Sequence, residues 1–382
     1  MEQVEVWMLY KGLERKNLER EMIYIKDIEP EEVLAEPLYG CWEGNMEHAL
    51  ERQPIDICKE RKEDKVVIGN SGVVRILKVG NTIKHLREGM ICILFCGENT
   101  RNDKFPKKIY AYDQPNTIGL LSKKVKLHHK YLIPIPENSK YTLPQWAAFS
   151  LRYITAWSNW QVSYNCWLAN IKNNKAAYSD AYVCAWGGGV SFAFVTLAKI
   201  HGFNAGLISS KKTMLKYITD VGLDSIDRNL FRDLAYNEEL YNTDKNFKKN
   251  YRQAEKTFLN IINEKTSEKG VAIFMDLVGF PVFRATLKAL ASPGVITTSG
   301  WKKGMHLTSS RAVECIKRHT HVHTHYASYE EGLDAVTFAE TNSWLPPITD
   351  KIWQWDDIPH LSKLGLYESL DTYFPIYQIN PI

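Results

Sequence analysis

The sequence predicts an α/β protein in two parts, a helix-wrapped parallel sheet preceded by a smaller β-rich domain. Three observations carry this. From residue 181 onward, short apolar runs alternate with longer stretches of helical period. Three consecutive glycines, Gly187, Gly188 and Gly189, separate the first of those runs from the first helical stretch. Residues 1 to about 150 instead show short β-rich runs broken by Gly, Asn and Pro.

In the first part the expected strands are 66–68, 72–79, 90–95, 108–112 and 131–134, enough for a compact β-barrel-like domain. In the second they are 181–185, 204–208, 271–277, 294–299 and about 319–326. Helices are expected at 190–202, 212–221, 253–268 and 281–291, which gives right-handed crossovers between parallel strands. The polar stretch 237–249 reads as a surface excursion. The aromatic tail from residue 343, with Pro346, Pro347, Pro359 and Pro375, reads as irregular chain packing back on the first domain. The expected division is 1–150, 151–334 and a C-terminal segment 335–382.

Composition narrows the class. A hydrophobic content of 45% with 24% charged residues is that of a globular chain, and 382 residues suffice for two cores. The net charge of +4 is small and dispersed, so nucleic acid and membrane surfaces are not expected partners. Seven scattered cysteines read as reduced, mostly buried thiols. The N-terminus has no apolar signal region and no run reaches a membrane span, so the expected location is cytoplasmic.

Strand, glycine-rich turn, helix is the geometry that seats a pyrophosphate on free backbone N–H groups. The alternative is a plain strand-to-helix turn. The next expected strand ends in Ser209, Ser210, Lys211 and Lys212. A site for NAD usually carries an acid there for the ribose 2′-hydroxyl. Hydroxyls and ammonium groups suit a 2′-phosphate instead, so NADPH is the expected cofactor. The bland reading is a solvated Ser/Lys turn. Further on, His319, His321, His323 and His325 alternate along one expected strand, neighbours being about 6.6 Å apart on one face. Such a row could chelate a transition metal.

Taken together, 69–90 (GNSGVVRILKVGNTIKHLREGM) and AWGGGV at 185–190 resemble the medium-chain dehydrogenase/reductase superfamily. Within it the chain looks most like the crotonyl-CoA carboxylase/reductase branch. The segments behind this are RQPID at 52–56, Thr155-Ala156-Trp157, Ser209-Ser210, Ile226-Asp227-Arg228-Asn229 and THYAS at 324–328, with a long insertion between Asn229 and Val271. The resemblance implies a Rossmann nucleotide-binding domain with a parallel sheet, a GroES-like β-barrel domain, and a homo-oligomer, dimer or tetramer. It adds Thr155, Val190 and Gly300 to the glycines, Ser209, Ser210 and Lys211 as cofactor-binding residues.

Two departures from the family pattern matter. Zinc-dependent members carry Gly-His-Glu where this chain has Gly69-Asn70-Ser71, and Asn and Ser are not normal zinc ligands, so no metal is expected. The first and last glycines of the fingerprint fall on Ala185 and Ser191. The resemblance places His325 at the substrate or carbon dioxide site, the other three histidines then being packing or rim residues. It places Asn45 in an Asn-rich active-site segment, with Glu43 as good a claimant. The expected activity is NADPH-dependent reduction of an α,β-unsaturated acyl thioester, on coenzyme A or a carrier protein, with protonation favoured over carboxylation. The alternatives are a quinone or enone reductase and a catalytically silent binding relative.

Overall fold

Strand β1 (Glu2–Tyr10) buries Val4, Val6, Met8 and Leu9, and pairs antiparallel with β2 (Leu18–Ile25). β3 (Glu32–Cys41) is followed by two short helices, α1 (Gly44–Glu51) and α2 (Ile57–Arg61), and by β4 (Lys65–Val66), which adds to β1. The computed structural model describes all residues except 13–16, 98–104, 173–179, 305, 349–350 and 367–369. They divide into two units, Met1–Ile154 with Tyr326–Ile382, and Thr155–His325.

In the first unit β5 (Gly72–Val79), β6 (Ile91–Leu94), β7 (Val125–His128) and β8 (Leu132–Pro134) join β3 in an antiparallel sheet. Expected strand 108–112 does not form. Ile109 makes one bridge to Gly97, after which the Asp113 carboxylate accepts the Ile109 N–H at 2.6 Å and closes a turn. Beyond β7, burial and then the neighbouring His128, His85 and Lys130 push the pKa of His129 down to about 4.

Helix α3 (Leu143–Asn170) contains the division between the units. The second unit then alternates: β9 (Tyr182–Trp186), α4 (Gly189–Ile200), β10 (Asn204–Ser209), α5 (Lys212–Asp220), β11 (Asp224–Asp227), α6 (Glu238–Thr243), α7 (Lys245–Thr266), β12 (Val271–Met275), α8 (Phe280–Ala289), β13 (Leu290–Thr298), α9 (Arg311–Lys317) and β14 (Thr320–His323). All six strands are parallel, in the order β11-β10-β9-β12-β13-β14. The order reverses between β9 and β12, the switch point beside which ligands bind in doubly wound sheets.

Two expectations fail here. The stretch 237–249 is mostly helical rather than an excursion. The Asp244 carboxylate caps the N–H groups of Asn246 and Phe247, and α7 starts eight residues before the expected helix at 253. The histidine row does not form one strand face. Among the described residues β14 is an edge strand paired with β13, which ends at Thr298, so the strand stops at His323. His319 and His321 both bond Glu314 Oε2, at 3.0 and 2.8 Å, while His325 lies beyond the strand.

The chain returns to the first unit through α10 (Tyr329–Asn342), α11 (Ile358–Leu366) and β15 (Ile376–Gln378). β15 pairs with β3 at Tyr39–Cys41 and completes the sheet order β15-β3-β5-β6-β8. Trp355, Ile358, Leu361 and Tyr377 pack in one core with Val6, Trp7, Trp42 and Leu121. No described helix is long and apolar enough to cross a membrane.

Candidate active site

Each unit brings its own set of groups. In the second, β9 is buried throughout and leads straight into the glycine turn. Gly188 stands before α4 with φ +146°, a conformation open to glycine and strained for any other residue. A Cβ built on it would meet nothing within 4 Å, so the space over the turn is open. The first bond of the helix runs from Phe192 N–H to Gly188 O, at 2.9 Å, and no side chain caps the turn. The N–H groups of Gly189, Val190 and Ser191 therefore carry the positive end of the helix, with no acidic side chain in its first turn. Ala185 and Ser191, which replace the outer fingerprint glycines, are both fully buried. Both positions accept a small side chain between strand and helix, and the Ser191 hydroxyl has no hydrogen-bond partner among the described residues.

At the end of β10, buried Ser209 uses its hydroxyl to accept Lys211 N–H at 3.2 Å, and Ser210 and Lys212 are exposed. The acid nearest in register is Asp227, opposite Ser209 on β11. Its Oδ1 is already taken by the backbone N–H and the side-chain amide of Asn229, each at 2.8 Å. Next to it Arg228 lies over Trp186, its guanidinium 5.0 Å from the ring centroid, and donates to Leu234 O at 2.9 Å. Its Nη1 is shielded and has no partner among the described residues, and burial pushes its pKa down. Sequence reasoning used Arg228 as a family marker and missed it as a cation beside the serine turn.

The rim past β13 holds Gly300, over which a Cβ would again meet nothing within 4 Å. His325 Nδ1 donates to Ser299 O at 2.9 Å, and its ring stacks on Trp301 at 6.0 Å between centroids. That bond fixes one ring proton on Nδ1, so Nε2 donates only in the imidazolium form. Buried Asn159 of α3 ties this rim down. Its amide donates to Thr324 Oγ1 at 2.7 Å and accepts from Thr297 Oγ1 at 2.9 Å. Thr155 is half-buried on the same helix.

In the first unit the structure gathers a buried polar cluster that the sequence showed only in fragments. Arg152 of α3 donates Nε to Glu43 at 2.9 Å and Nη2 to Trp42 O at 2.7 Å, bonds Tyr373 O, and contacts Cys41 Sγ at 3.2 Å. Burial raises the Glu43 carboxyl against the pull of Arg152, and raises the Cys41 thiol well above its usual range. Asn70 is 1% exposed, and neither end of its amide has a partner among the described residues. Asn45, on the first turn of α1, likewise has a shielded Oδ1 without one. Buried amides left unpaired mark room for a ligand group or an ordered water. Arg152 carried no sequence signal, because its partners come from residues 41–43 and 373.

The six-stranded parallel sheet and the antiparallel half-barrel make up a fold that this chain shares with solved structures. Solved structures that share it include the crotonyl-CoA carboxylase/reductase AntE with NADP, at TM-score 0.79 and 15% identity over 98% of this chain and 94% of that one. The 2-octenoyl-CoA carboxylase reductase CinF from a Streptomyces species, solved with NADP and 2-octenoyl-CoA, matches at TM-score 0.81 and 15% identity, over 100% and 89%. An alcohol dehydrogenase from Thermotoga maritima matches at 0.76 and 15%, over 99% and 100%. No family model matches the sequence, and no curated protein does.

Proposed function

We propose that the chain is an NADPH-dependent reductase of α,β-unsaturated acyl thioesters. The observation that carries this is the open, uncapped glycine turn at the switch point, beside a strand end bearing hydroxyls and lysines in place of an acid. The NADP-bound carboxylase/reductases of the same fold support it. Gly187 to Val190 would hold the pyrophosphate, Ser209, Ser210 and Lys211 the 2′-phosphate, and Thr155 and Gly300 the nicotinamide end. When bound, NADPH supplies the hydride.

Hydride addition at the β-carbon moves the conjugated electron pair onto the thioester oxygen, and a proton then closes the α-carbon. His325 and the amide of Asn45 are the groups proposed to stabilise that oxygen. Loss of one such donor typically costs about 10²–10³ in kcat. Zinc-type alcohol oxidation fits this chain poorly, since Asn70 and Ser71 stand where zinc-dependent members carry His and Glu, and neither is a normal zinc ligand. Protonation is proposed over carboxylation. Carbon dioxide is a weak, apolar electrophile, and capturing it needs water kept from the α-carbon by several residues acting together.

NADPH oxidation measured with crotonyl-CoA, with a quinone and with no acceptor tests the reading. Turnover with crotonyl-CoA alone is expected, and turnover with the quinone alone would replace thioester reduction with quinone reduction. Mass spectrometry of the product in saturating bicarbonate should show simple reduction; a dominant product heavier by one carboxyl group overturns that part. NADPH should bind about tenfold to a hundredfold more tightly than NADH, given roughly 1.5–3 kcal/mol per charge-assisted contact. Equal affinities in a fluorescence titration would remove the serine–lysine turn from the site.

A further inference from the structure

Away from every group used above, the antiparallel sheet of the first unit carries a cluster of metal-ligating side chains. Glu31 sits on the turn entering β3, His128 closes β7 and His129 follows it. Register brings them together, because Glu32 pairs with His128 and His129 N–H donates to Glu31 O at 3.1 Å. One carboxylate oxygen and one ring nitrogen from each histidine all lie within 4.8 Å of one another. A third imidazole, His85 from the connection between β5 and β6, meets His129 edge-on, at 5.0 Å between centroids. His128 and His129 are 4.6 Å apart by the same measure.

Imidazole and carboxylate are the donors zinc takes, at about 2.0–2.1 Å, which sets two tetrahedral ligands about 3.3 Å apart. Glu31 Oε2 and His128 Nε2 stand 3.5 Å apart, already close to that span. His128 uses Nδ1 to accept Lys130 N–H at 3.2 Å, which leaves Nε2 as the atom facing Glu31. Ligation through Nε2 moves the remaining ring proton to Nδ1 and gives up that single neutral bond. The Glu31 side chain is 64% exposed and His85 is exposed, so an ion has an entry path and room for a water ligand. His319 and His321 offer a contrast, as both sit at direct hydrogen-bond distance from Glu314.

We propose that Glu31, His128 and His129 form a divalent transition-metal site, zinc being the best-fitted ion, with His85 packed edge-on against His129 beside it. It would join the turn before β3 to the end of β7. The site is independent of the reductase reading and takes no part in it.

Metal-free full-length chain titrated with zinc by calorimetry tests this. One ion per chain is expected at micromolar affinity or better, with magnesium showing no heat. Affinity should fall at least about tenfold in Glu31→Gln and in His129→Ala, a loss of the size seen when a zinc site's supporting groups are removed. It should be unchanged in His321→Ala. Zinc should raise the melting temperature of the wild type by more than that of His129→Ala at the same zinc concentration. Glu31→Gln keeps the shape of an exposed side chain, so its result does not depend on a folding defect. Equal affinity in wild type, Glu31→Gln and His129→Ala, or no binding with zinc in excess of protein, overturns the site.

Discussion

Asp276 shows how one residue sets the balance between stability and placement. It follows β12 fully buried, one oxygen accepting the N–H groups of Val278 and Gly279, each at 2.9 Å, the other shielded without a partner among the described residues. Burial raises its pKa to about 6 against those two bonds. The unfolded carboxyl titrates near 3.9. Between about pH 4 and 6 the folded chain therefore holds a proton that the unfolded chain has lost. Stability falls as pH rises through that window, and the full cost stands above it. Asp276→Asn keeps an acceptor for both N–H groups and removes the charge. Urea melts should show the variant more stable at pH 8, by on the order of 1 kcal/mol, and the advantage should vanish near pH 4. An equal shift at both pH values would mean that packing, and not ionisation, sets the difference.

At the scale of elements, the glycine turn is where local conformation and binding meet. Gly188→Ala places a Cβ at φ +146° and into the space over the turn. The strain should cost about 1–3 kcal/mol in a denaturant melt. Binding of NADPH, followed by fluorescence, should fall further than stability does. An unchanged affinity would take the cofactor off this turn. This element was legible because its constraint is local, three glycines between an apolar run and a helix. The first two turns of α7, before the expected start at 253, were legible too and were missed. Phe247, Tyr251, Ala254, Phe258 and Ile262 step by four and three residues along one face, but lysines and asparagines hid the stripe at its start. β1 to β3 escaped notice for a different reason, mixed alternation in which Glu and Arg interrupt the apolar positions. The histidine row misled because a period of two predicts a face only as far as the strand continues. Asn159 and Arg152 were not readable at all, since their partners are set by tertiary structure.

At the scale of the molecule, the first unit is assembled from both ends of the described chain, 1–154 and 326–382. A chain stopped after Asn342 would lack Trp355, Ile358, Leu361 and Tyr377 from that core, along with the Trp7 Nε1 bond to Trp355 O at 3.1 Å. Its near-ultraviolet circular dichroism should lose the tryptophan signature of the first unit, while the cooperative melt of the Thr155–His325 unit survives. Retention of both would show that the returning segment is dispensable. The same discontinuity reverses the order of events during synthesis. Thr155–His325 is complete while the earlier-made residues still wait for their last strand, Ile376–Gln378, to emerge. Until then the backbone of Tyr39–Cys41 lacks its β15 partner, an open sheet edge that any extended chain nearby can pair with. The nascent protein is thus vulnerable to aggregation at Tyr39–Cys41 for as long as Ile376–Gln378 has yet to emerge.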